Sequence, residues 1–128
     1  MAWPELVLQC FWWSIIASQE RISLSWEVAT DLSELGAEVG EVLEVLNFVW
    51  DRVMELLLNV DADKRSLGVE FREIPGRYAV TFELPPLKLD PAWLAWTGSL
   101  PGQYNFGILV KHEGETLSGL AVWLPREM

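Results

Sequence analysis

One cysteine, one histidine and three lysines stand among the 128 residues, and each scarcity removes a class of protein. Cys10 has no internal partner, so no intrachain disulfide staples the fold, and a reducing, cytoplasmic compartment is expected. With Phe11 beside it and no cation near, it reads as an inert thiol rather than a nucleophile. His112 has no cysteine or second histidine at ligand spacing, which sets zinc aside. It would also be the sole base open to any serine nucleophile, and no Gly-x-Ser-x-Gly elbow accompanies it. A phosphate-binding Gly-Lys-Ser/Thr loop and a dinucleotide fingerprint are both missing. The stretch DADKRSLGVEFR opens like a calcium loop at Asp61 and Asp63. Arg65, Ser66 and Arg72 then occupy the positions that need a ligand, a glycine and a bidentate glutamate. No metal and no cofactor is expected.

Long apolar runs are also lacking. Residues 6–17 form an apolar segment of about twelve, broken by Gln9 and Ser14, where a membrane span needs roughly twenty. Glu5 stands where a signal peptide would carry positive charge. Nine Lys and Arg face nineteen Asp and Glu, a net charge of −10. Such a balance disfavours a nucleic-acid backbone or an anionic membrane as partner and admits basic proteins.

What remains is apolar and aromatic: 51% hydrophobic residues, with eight tryptophans. That suffices for a packed core, and a single domain over residues 1–128 is expected. Residues 5–16 are apolar on every face, so periodicity separates neither helix from strand. Pro4 suits a helix start. The Phe-Trp-Trp and Ile-Ile runs favour a strand covered on both sides, paired as a hairpin with the alternating segment of Ile22, Leu24, Trp26 and Val28. Leu32, Leu35, Val39, Val42, Leu46, Val49, Val53, Leu56 and Val60 then recur at steps of three and four. They predict a long amphipathic helix capped by Asp31. Thirty residues would span roughly 45 Å, longer than a domain of ~36 Å, so a break near Gly36 or Gly40, or a projecting end, is expected. Two hairpins follow, turning at Pro75-Gly76 and Glu113-Gly114, with a short helix between them capped by Asp90 and Pro91. The fold class predicted is α+β: a mainly antiparallel sheet of hairpins packed on one long amphipathic helix, in the order ββ-α-ββ-(short α)-ββ.

Charge is concentrated on that helix. Residues 30–63 hold nine acids and one base, Arg52, which is eight of the ten net negative charges. Glu34, Glu41 and Glu55 share one helical position, and Glu44 and Asp51 share another, forming an anionic ridge. Exposed acids also serve solubility alone. Trp93 and Trp96, three apart, share a face of the short helix beside a Pro/Gly-rich loop, a pattern that suits a binding patch. On a strand, Trp12 and Trp13 would point opposite ways; one enters the core, and Trp13 joins the candidate partner surface. The expected function is therefore non-enzymatic: an acidic protein-binding module docking on a basic or apolar protein surface. An inhibitor, an immunity or antitoxin-like factor, or an adaptor-chaperone fits that description. Self-association as a homodimer, through the long helix or a sheet edge, is the alternative. A small enzyme built on two of the carboxylates Glu70, Glu73, Glu83 and Glu113 is the third.

Overall fold

The computed structural model describes residues 2–99 and 106–127. Helix α1 (Pro4–Gln19) leads into strand β1 (Ser23–Val28), and helix α2 (Val39–Leu57) follows. Strands β2 (Ser66–Ile74) and β3 (Arg77–Lys88) form a hairpin. A short helix α3 (Pro91–Leu94) runs into a 3-10 turn (Ala95–Ser99), and strands β4 (Gly107–Glu113) and β5 (Thr116–Pro125) complete the described fold. The class is α+β, with a five-stranded mixed sheet in the order β1-β2-β3-β5-β4. Among the described residues only β1 and β2 run parallel; the other three pairings are antiparallel.

The opening hairpin does not form, because residues 5–16 are helical. Pro4 supplies the preset first position. The helix ends in a Schellman motif without the customary glycine. Arg21 takes the left-handed conformation (φ 57°). Its N–H donates to the Ser18 carbonyl (3.3 Å), and the Ile22 N–H donates to that of Ala17 (2.8 Å). Ala17 and Ile22 are both buried, the apolar contact that completes such a cap. The chain reverses in three residues and lays β1 beside the helix.

With no first hairpin, β1 finds β2 instead. A parallel pair needs a crossover of a dozen residues or more, and α2 is that crossover. Its buried stripe of Val42, Val45, Leu46, Val49, Trp50, Val53, Met54 and Leu57 packs into one core with Val69, Phe71, Tyr78, Val80, Phe82, Leu120, Val122 and Leu124. The helix starts at Val39, between the two glycines, and not at Asp31. The segment before it is held by the far end of the chain. Gly36 N–H donates to the Pro125 carbonyl (2.9 Å), and Glu127 N–H to that of Glu34 (2.6 Å). Asp31 caps a local turn at Ser33 N–H (3.0 Å). That bond holds its carboxyl below the usual carboxylate range. At the other end of α2, the Arg65 guanidinium donates to the carbonyls of Leu58, Val60 and Glu20 (3.2, 2.9 and 2.8 Å). One side chain thus closes the ends of both long helices.

The two later hairpins stand where their turns place them, with Gly76 (φ 74°) and Gly114 (φ 60°) in the left-handed region. β3 runs on past Pro85 and Pro86 to Lys88, its pairing with β5 shifting register between Glu83 and Leu87.

Candidate functional site

Helix α2 turns its acids outward. Glu41, Glu44, Asp51 and Glu55 are all exposed. Arg52 binds Glu55 at 2.8 Å and lies over the Phe48 ring, 5.2 Å from its centroid. Glu34 is not on this ridge. It sits in the loop before α2, where Arg126 pairs with it at 2.8 Å while also reaching Glu73 at 3.5 Å and stacking on Tyr78. The Tyr78 hydroxyl accepts the Glu34 N–H (3.0 Å). Glu34 therefore ties the chain end to the sheet.

The fold brings the tryptophans of the α3 segment to the same helix. Asp90 accepts the Ala92 N–H (3.0 Å) and Pro91 opens α3, as the sequence predicts. Trp96 then meets Phe48 edge-on, ring centroids 5.8 Å apart, and Trp93 meets Trp96 at 5.3 Å. Both indoles are half-buried. Phe48 lies one helical turn from Glu44 and one from Asp51, so an aromatic cluster is set into the acidic face. In the sequence Arg52 stands out as the one base of residues 30–63, and the signal for Phe48 is a bulky ring among acids at three-and-four spacing.

Trp13 is elsewhere, and this corrects its place among the partner-facing residues. It is 1% exposed. Its ring is stacked between Trp50 (4.6 Å, 1° between planes) and Trp26 (6.3 Å, 4°). Its Nε1–H donates to Asn47 Oδ1 (3.0 Å), and the Asn47 amide donates to Gln9 (2.9 Å). On a helix, adjacent residues point about 100° apart rather than opposite. Trp12 consequently faces solvent at 57% exposure. Beside it Val7, Leu8 and Phe11 are also exposed, as is Val28 on edge strand β1. A groove of about 390 Å³ runs between α1 and β1, lined by Val7, Cys10, Phe11, Ser14, Trp26 and Val28.

Cys10 lies in that groove, and burial pushes its thiol up to about 11. At pH 8 the thiolate should be about a hundredfold scarcer than in the unfolded chain. A thiol-specific reagent should therefore label the native protein slowly, and label it about a hundredfold faster in denaturant. Equal rates in the two states would show that the thiol is not shielded.

Of the carboxylates named for an acid–base pair, Glu73 is taken by Arg126 and Glu113 ends β4 at a turn. Glu70 and Glu83 share an open groove of about 240 Å³ with Ser25, Glu27 and Gly68, on the sheet face opposite the helices. Among the described residues no group of three His, Cys, Asp or Glu is placed to hold a metal ion. No helix among them is long and apolar enough to cross a membrane.

No family model matches the sequence, and no curated relative matches it. Solved structures do. The histidine kinase AdeS of Acinetobacter baumannii aligns with a TM-score of 0.59 at 10% identity. The alignment covers 97% of this chain and 63% of that one, so this chain spans somewhat under two thirds of its neighbour's length. At that identity the likeness is one of fold alone.

Proposed function

We propose that the protein is a non-enzymatic binding module whose working surface is the outer face of α2 with the α3 segment. The observation that carries this is the Phe48–Trp93–Trp96 cluster set among Glu41, Glu44 and Asp51. An aromatic centre with a charged rim is how strong protein interfaces are built: rings carry the affinity, charges set the approach. The partner is a protein with a basic surface around an apolar contact. Inhibitor, immunity or antitoxin-like factor, and adaptor-chaperone all fit that role. A reducing cytoplasm suits the lone cysteine and belongs to the same proposal.

The test starts from a partner captured from the native host with the wild-type chain as bait. Reversing Glu41, Glu44 and Asp51 to lysine should then slow association at least tenfold at low salt, with the difference shrinking as salt rises. Trp96→Ala should chiefly speed dissociation. If every captured protein binds the triple variant with unchanged kinetics, the acidic face has no such role.

A further inference from the structure

A second surface stands apart from the acidic one. α1 is apolar all round and carries one charged residue, Glu5, in its first turn. A helix of that composition belongs in an interior. Here only Leu6, Trp13 and Ala17 are fully buried, while Leu8 and Phe11 are 69% and 68% exposed. With Val7, Trp12 and Val28 they form a contiguous apolar face, and it continues onto the edge of the sheet, because among the described residues β1 pairs with β2 alone. An uncovered edge of this kind is a liability in a chain that stays alone.

We propose that this face is a self-association surface, on which a second copy of the chain packs as a two-fold dimer. Three observations choose that occupant. The first is area. The five exposed side chains present on the order of 500 Å² of apolar surface, so two copies would bury ~1,000 Å² between them, the threshold for a specific interface. The second is charge. Glu5, at the start of α1, is the one acid on this helix, so a basic partner would find little there to pair with, whereas a copy is apolar in the same way. α1 also has no lysine or arginine, the residues by which interfacial helices hold anionic lipid. The third is shape. Phe11 forms a wall of the groove between α1 and β1, and Leu8 lies one helical turn from it with Trp12 one turn further on from Leu8, so one face carries both a projection and a recess. A two-fold axis sets each projection into the other copy's groove.

This pairing has a salt signature opposite to that of the acidic face. Two chains of net charge −10 repel at long range, so screening strengthens the dimer, while it weakens capture of a basic partner. Sedimentation velocity of the full chain should show a dimer at tens of micromolar, with a dissociation constant several-fold lower at about 0.5 M than at about 0.05 M salt. Leu8→Glu with Phe11→Glu should give a monomer whose circular dichroism matches the wild type, since both side chains are already exposed, and whose melting temperature matches that of the wild type diluted to where it is monomeric. Glu44→Lys should leave the dimer intact, which separates this result from the fate of the acidic face. A wild-type chain that stays monomeric at about 200 µM in either salt overturns the proposal. So does a double variant that dimerises like the wild type. Flotation of the monomer with phosphatidylcholine vesicles, lost in the double variant, would also overturn it and assign the face to lipid.

Discussion

Trp13→Ala should cost the fold about 3–5 kcal/mol, a large share of the 5–15 kcal/mol typical of a domain. Trp12→Ala, one residue away, should cost under about 0.5 kcal/mol. The difference comes from what each indole touches. Trp13 is the middle ring of a three-tryptophan stack, between Trp50 of α2 and Trp26 of β1, with Phe82 of β3 at 6.3 Å. Removing it opens a cavity where α1, α2 and the sheet converge, and rigid neighbours on three elements cannot close over it. It also strips a donor from Asn47, which is left holding Gln9 alone. Trp12 gives up mainly contact with water. Urea unfolding followed by far-ultraviolet circular dichroism measures both. Equal costs for the two variants would place α1 in a different rotation about its axis. In the proposed dimer, Trp12→Ala would weaken association while leaving the protomer's fold unchanged.

Gly119→Ala should cost about 3 kcal/mol, the upper end for overpacking. Gly119 is buried in β5, paired with Glu83 and Lys111. A Cβ there would lie 2.6 Å from the Phe82 carbonyl oxygen and 3.5 Å from the Glu83 Cα. Both obstacles are backbone of the central strand β3, so no side chain can swing aside. Relief requires β3 and β5 to part close to where their register already shifts. Gly68→Ala is the matched control in β2. Its Cβ would meet the Ser25 Oγ at 3.4 Å and the Glu83 Cβ at 3.5 Å, ordinary contacts. Alanine there should be neutral or stabilise by about 0.5 kcal/mol through lost backbone freedom in the unfolded chain. Thermal unfolding of the two variants side by side decides it. A Gly119→Ala protein as stable as the wild type would show that the β3–β5 approach is looser than these distances.

The candidate surface was legible in part. The acids at 41, 44, 51 and 55 follow from helical spacing, and the short α3 follows from Asp90 and Pro91. Nothing local says that residue 96 folds back onto residue 48; that contact joins residues 48 positions apart and exists only once α3 has been placed. Glu34 was misassigned for a related reason. Leu32 and Leu35 continue the stripe of α2 in sequence, yet they are buried as anchors of a loop whose backbone groups are bonded to residues 125–127.

Sequence alone determined every element whose apolar residues face one way. A helix or strand with one wet side writes its own period of 3.6 or 2 into the chain, and α2, β1, β2 and β3 were visible for that reason, while the turn at Glu113-Gly114 marked β4 and β5. Tertiary structure decided the rest. A segment apolar on all sides has no period, and the helix of residues 5–16 is held by Pro4 at its start, the non-glycine cap at Arg21 and the stack around Trp13. That helix in turn denied β1 a hairpin partner and left it to pair in parallel with β2. Burial of one indole and exposure of its neighbour, from adjacent identical residues, is a fact about the surroundings, and no run of letters contains it.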